Sequence, residues 1–131
     1  MSLKKIWVID DDPIYQIIVN KIIKKSELFV SVSSFKNGKE AICALKNAIE
    51  NTAELPNVIL LDINMPVMDG WEFMEEMVLL KPQIKVPISI YIVSSSIALE
   101  DKSNAKKYPE IIAYLSKPVN NNDLILISAN N

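Results

Sequence analysis

Val58-Ile59-Leu60-Leu61 is the most apolar of the chain's strand candidates, and a carboxylate, Asp62, follows it directly. A run this short with no polar alternation reads as a strand buried on both faces, the pattern of a parallel sheet covered by helices. The segments around it repeat the theme. Residues 6–9, 29–35, 88–93 and 111–115 are further strand candidates, and amphipathic stretches separate them.

The helices announce themselves by their starts. Asp12 caps a helix that opens on Pro13 and carries the apolar stripe Ile14, Ile17, Ile18 and Ile22. Asn37-Gly38-Lys39-Glu40 resembles a capping start, followed by Ala41, Leu45, Ala48 and Ile49, and a loop through Pro56 ends that helix. Asp69 to Glu72 can cap the next one, whose inner stripe is Phe73, Met74 and Met77. Residues 97–107 read as a weak, polar helix, and a closing helix runs from Asn120.

Five βα units in succession predict an α/β fold, a parallel sheet with helices on both faces and right-handed crossovers. The expected arrangement is flavodoxin-like, (βα)5, with strand order 2-1-3-4-5 and a switch point between the first and third strands. Ligands should bind at the strand ends near Asp10 and Asp62.

Bulk properties narrow the function. At 131 residues the chain, 1–131, is expected to be one domain, and half its residues are hydrophobic, a globular composition. Net charge is −2 and every basic residue is a lysine, so arginine forks for base reading and a basic face for phosphate tracking are both missing. No direct nucleic-acid binding is expected. Cys43 stands alone, which excludes an internal disulfide, and the absence of histidine excludes the commonest zinc, iron and general-base sites. The first residues lack a signal-peptide core and no apolar stretch reaches membrane-span length, so a cytoplasmic location without membrane contact is expected.

What remains for chemistry is carboxylate, hydroxyl and amine. Asp10-Asp11-Asp12 follows the first strand, Asp62 the third, Ser94-Ser95-Ser96 the fourth and Lys117-Pro118 the fifth, all at one edge of the predicted sheet. Each has an ordinary structural explanation when taken alone: a helix cap, a turn residue, a loop Lys-Pro. Trp7 and Tyr114 taken alone are core or edge aromatics. The joint placement is what points to a site. Carboxylates crowded together repel unless a cation sits between them, and Mg2+ suits such a set because it uses one or two carboxylates plus phosphate oxygens. A carboxylate beside Mg2+ and a lysine can attack phosphorus. Asp62, at the centre, is the expected nucleophile.

Val8-Ile9-Asp10-Asp11-Asp12-Pro13, Leu60 through Gly70, Val93-Ser94-Ser95 and Tyr114-Leu115-Ser116-Lys117-Pro118 occur in an order that resembles the receiver domains of bacterial two-component response regulators. The resemblance covers essentially the whole chain. It implies a phosphorylation switch in which Asp62 is the phosphoacceptor, while Asp10, Asp11, Asp62 and the main-chain carbonyl of Asn64 hold Mg2+. It makes Ser94 the switch hydroxyl, Lys117 the lysine that pairs with the phosphoryl group, and Tyr114 the aromatic that follows the switch. It also implies a cis Lys117-Pro118 bond, slow self-dephosphorylation rather than enzymatic turnover, and a movable fourth helix. The implied partners are a sensor histidine kinase or histidine phosphotransfer protein as donor, and a downstream protein target. Ser95 departs from the family's usual alanine, and Asn64 and Ser96 flank the site at positions that tune phosphoryl lifetime. The short closing segment after Ile127 fits either a single-domain regulator or an excised piece.

Two other readings stand beside this one. A Mg2+-dependent phosphohydrolase would also use an aspartyl phosphate, but such enzymes generally carry an aspartate two residues beyond the nucleophile, where this chain has Asn64. A receiver-like module that is never phosphorylated would have little use for the full set of Asp10, Asp11, Asp62, Ser94 and Lys117.

Overall fold

Strand and helix alternate along the whole chain. In the computed structural model, which describes residues 3–95 and 99–130, the strands are β1 (Lys4–Ile9), β2 (Phe29–Phe35), β3 (Val58–Leu61), β4 (Ser89–Ser94) and β5 (Ile111–Ser116). The helices are α1 (Pro13–Ser26), α2 (Gly38–Ala48), α3 (Gly70–Leu80), α4 (Leu99–Ala105) and α5 (Asn121–Asn130), with 3₁₀ turns at Thr52–Glu54 and Lys81–Gln83. Strand pairs are parallel and the order is β2-β1-β3-β4-β5, as the sequence predicts.

Pleating divides the central strands between two cores, because successive side chains point to opposite faces. Trp7, Ile9, Ile59, Leu61, Ile90 and Ile92 face α2 and α3, where Leu45, Phe73, Met74 and Met77 meet them. Ile6, Val8, Val58, Leu60, Tyr91 and Val93 face α1 and α5, against Val19, Ile23, Leu124 and Ile127. All four residues of β3 are buried, which explains its unbroken apolar sequence.

β1 starts two residues before the apolar run at 6–9, because Lys4 and Lys5 still pair with β2 at the sheet's rim. The caps fall where the sequence puts them. Asp12 accepts from the amides of Ile14 and Tyr15, Asn37 from that of Glu40, and Asp69 forms a reciprocal capping box with Glu72. Asn120 and Asp123 make a similar pair at the start of α5, at 2.9 and 3.1 Å.

The rotation of α1 is a correction. The stripe Ile14, Ile17 and Ile18 faces outward, 69, 59 and 46% exposed, and the helix buries Tyr15, Val19 and Ile23 instead. Isoleucines sit on more than one side of this helix, so periodicity alone does not choose a face. Gln16 decides it: its amide donates to the carbonyls of Val8, Asp10 and Phe35 at 3.1–3.2 Å and so must point to the strand ends. The predicted polar helix at 97–107 is observed over the shorter span Leu99–Ala105, and its expected start at Ile97 lies outside the described residues.

Candidate functional site

The loops after β1, β3 and β5 meet at one edge of the sheet. Asp10 is fixed first: its amide donates to the Phe35 carbonyl at 3.0 Å, and its Oδ1 accepts from the Asp12 amide at 2.9 Å. Asp62 is held next to it, its amide bonded to the Ile9 carbonyl and its Oδ1 accepting from the Ile63 amide, both at 2.9 Å. Asp10, Asp11 and Asp62 then offer carboxylate oxygens within 4.8 Å of one another.

Both glycines of the chain serve the loop that follows Asp62. A Cβ on Gly70 would lie 2.6 Å from the Asp62 carbonyl oxygen and 3.0 Å from Ile63 Cα. A Cβ on Gly38 would meet the Met68 side chain at 2.9 Å and its carbonyl at 3.0 Å. The Gly70 amide donates to the Ile63 carbonyl, and that of Gly38 to the Met68 carbonyl. Helices α2 and α3 are thereby pressed end-on against the segment between residues 62 and 70. Within it Val67 takes φ 69°, a conformation that strains a β-branched residue.

Lys117 closes the group. Its Nζ is 2.6 Å from Asp10 and 3.7 Å from Asp62, and the Lys117-Pro118 bond is cis as the resemblance implies. The Lys117 amide donates to the Ser94 carbonyl, which joins the ends of β4 and β5. Ser94 is buried there. Asn64 lies two residues past Asp62 on the exposed side of the loop. Ser95 is exposed, and Ser96 lies outside the described residues. Tyr114 is on β5, 38% exposed, with Lys102 of α4 at 5.8 Å from its ring, and so belongs to the α4–β5 surface rather than to the acidic cluster.

The electrostatics follow from burial. Desolvation and then the charge of Asp10 push the Asp62 carboxyl up to about 6, only partly offset by Lys117 and the Ile63 amide. Burial alone would lower Lys117, but its hydrogen bond to Asp10 and the charges of Asp10 and Asp62 hold it above the ordinary lysine range. A buried carboxylate whose negative form is this costly, next to two others, is a place where a cation would be welcome. The donors are carboxylates, without thiolate or imidazole, the hard-oxygen chemistry that suits Mg2+.

Two residues with evident roles here escape the sequence reading. Gln16 ties α1 to the carbonyl of Asp10, and the ring of Tyr15 lies 4.6 Å from Lys117 Nζ. The signal for Tyr15 is the alternative spacing 15, 19, 23 within an isoleucine-rich helix, which periodicity does not separate from 14, 18, 22.

Comparison with known proteins agrees with this geometry. A two-component response regulator from Cytophaga hutchinsonii superposes with a TM-score of 0.82 at 27% identity, covering 100% of both chains. The receiver domain of the histidine kinase CKI1 from Arabidopsis thaliana, solved in complex with Mg2+, gives a TM-score of 0.79 at 25% identity over 96% of this chain and 91% of that one. Among curated proteins, a protein-glutamate methylesterase/protein-glutamine glutaminase of Agrobacterium fabrum is 31% identical over 88 residues, 67% of this chain and 23% of its own length. The chain thus spans about a quarter of the length of that relative. The family model described as "Response regulator receiver domain" matches residues 6–128. The chain belongs to the response regulator receiver domain family, the phosphoacceptor modules of two-component signalling.

Proposed function

We propose that Asp62 is the residue of this receiver that takes the phosphoryl group, and that a protein phosphohistidine supplies it. The observation that carries this reading is the convergence of Asp10, Asp11 and Asp62 with Lys117, whose ammonium lies within 4 Å of two of the three carboxylates. Asp10, Asp11, Asp62 and the main-chain carbonyl of Asn64 would hold Mg2+, which when bound supplies positive charge against the carboxylates and the phosphoryl oxygens. At neutral pH Asp62 is largely ionised, even with its proton affinity raised to about 6. Its carboxylate attacks phosphorus as the bond from phosphorus to the donor's imidazole nitrogen breaks, and the imidazole leaves. Lys117 moves from Asp10 toward the new phosphoryl oxygens, and the Ser94 hydroxyl donates a hydrogen bond to them.

Partner docking fits the outward face of α1. Ile14, Ile17 and Ile18 form an exposed apolar patch beside Asp11 and Pro13, which suits an apolar helical surface carrying the phosphohistidine. The exposed Ile112, Tyr114 and Leu126 on β5 and α5 are the surface for a downstream protein. A chain whose basic residues are all lysines, at net charge −2, has little to offer DNA directly. No helix among the described residues is long and apolar enough to cross a membrane. The methylesterase activity is named for longer relatives, about a quarter of whose length this chain matches, and the chain itself acts as a switch rather than a turnover enzyme.

Intact mass after incubation with acetyl phosphate tests the reading. One phosphoryl group should be gained, dependent on Mg2+ and absent in Asp62→Asn. Labelling of Asp62→Asn at the wild-type level would contradict it, and steady phosphate release far beyond one equivalent from simple phosphate esters would favour a phosphohydrolase.

A further inference from the structure

Lys117 has to stay near the acidic cluster and still be able to move between its oxygens. Holding it costs rotamer entropy, and its ammonium has water within reach, since the side chain is 18% exposed. One wall of its site is aromatic. Tyr15, on the buried face of α1, is 9% exposed with its hydroxyl buried, and Lys117 Nζ stands 4.6 Å from the centre of its ring. That distance is inside the range at which a ring face attracts an ammonium. The same ammonium is 2.6 Å from Asp10 and 3.7 Å from Asp62, so the ring backs it while two carboxylates draw it forward.

The ring's placement is fixed through the first turn of α1. Asp12 caps the first turn of α1 by accepting from the Tyr15 amide at 3.2 Å. The next residue, Gln16, bonds the Asp10 carbonyl at 3.1 Å. Any rotation of α1 that slid Tyr15 from under Lys117 would break both. We propose that Tyr15 is a positioning residue: its ring face keeps the Lys117 ammonium between Asp10 and Asp62, poised for transfer to the phosphoryl oxygens. This rests on the reading of Asp62 as phosphoacceptor.

An aromatic face is required by this account, whereas the hydroxyl is not. Leucine would fill similar space without the negative ring face that attracts the cation. The experiment compares wild type, Tyr15→Phe and Tyr15→Leu for the rate of labelling by acetyl phosphate with saturating Mg2+, and follows the Lys117 Cε protons by NMR. Tyr15→Phe should label within about twofold of wild type, and Tyr15→Leu about three- to tenfold more slowly. The Lys117 Cε protons should be shifted upfield by the ring in wild type and Tyr15→Phe, and return to ordinary lysine positions in Tyr15→Leu.

Labelling of Tyr15→Leu at the wild-type rate would overturn the proposal, as would Tyr15→Phe being as slow as Tyr15→Leu. Ordinary Lys117 shifts in wild type would overturn it too, and that measurement stands even where Tyr15→Leu fails to fold. Failure of the phosphoacceptor reading looks different: wild type would take no label while the Lys117 protons remained ring-shifted.

Discussion

Helices α3 and α4 both follow strands that end in the candidate site, yet they are attached to the molecule in opposite ways. α3 begins on a complete capping box, bonds back to the Ile63 carbonyl through Gly70, and sinks Phe73, Met74 and Met77 into the core. α4 is seven residues of mostly polar sequence, and of residues 100–105 only Ala105 is buried. Its contacts with neighbouring elements include a hydrogen bond from Trp71 Nε1 to Asp101 at 3.1 Å and Lys102 over the Tyr114 ring. One helix is bound to the Asp62 loop as tightly as sterics allow, and the other follows Ser94 on light fastenings. A two-state switch needs both: a fixed frame for the chemistry and an element whose equilibrium a small local force can bias.

The largest test of that contrast is in the core. Phe73→Ala should cost about 3–5 kcal/mol in urea unfolding, as expected for an emptied aromatic site, while Ser103→Ala on α4 should change stability by less than about 0.5 kcal/mol. Comparable losses at the two sites would break the comparison.

A middle-sized effect sharpens it at the frame. Because the folded state raises the Asp62 carboxyl from 3.8 to about 6, the fold binds that proton more tightly than the unfolded chain does. The associated stability is fully present below pH 3.8 and is lost as pH rises through about 6. Metal-free wild type should therefore lose stability on this account across that window, and Asp62→Asn should not. Above pH 6 the variant should be the more stable by about 1–2 kcal/mol, the full effect being reduced by solvent screening. Added Mg2+ should stabilise wild type and leave Asp62→Asn nearly unmoved; equal stabilisation of both would place the ion elsewhere.

The smallest effect concerns α4. Trp71→Phe keeps a ring to stack on Tyr108, whose centre lies 6.3 Å away, but removes the donor to Asp101. Amide exchange should speed by about fivefold in α4, the worth of one hydrogen bond, and stay unchanged in α3. Uniform acceleration in both helices would show that Trp71 serves global stability instead.

Much of this was readable in the sequence because the signals were local. Caps at Asp12, Asn37 and Asp69, the unbroken apolar β3 and the Phe73-Met74-Met77 stripe each specify their element from a few neighbouring residues. The motif residues Asp10, Asp11, Asp62, Ser94 and Lys117 fall at strand ends, so the predicted parallel sheet alone brings them to one edge. What escaped depends on packing between elements. The face of α1 is chosen by Gln16 reaching backbone carbonyls on two strands, and no periodicity in an isoleucine-rich helix reports that. The place of Tyr15 is not encoded locally for the same reason, since its meeting with Lys117 joins residues 102 positions apart. The tighter partner of Lys117, Asp10 rather than Asp62, is a matter of distances that spacing does not encode.

The central claim is that Asp62 itself becomes the acyl phosphate, and borohydride trapping followed by peptide mapping addresses it most directly. Reduction of a phosphoaspartate yields homoserine, and the account predicts that conversion at Asp62 alone, with Asp10, Asp11 and Asp12 unchanged. Homoserine at any of those three, or at no aspartate in a protein that has gained a phosphoryl mass, would contradict it.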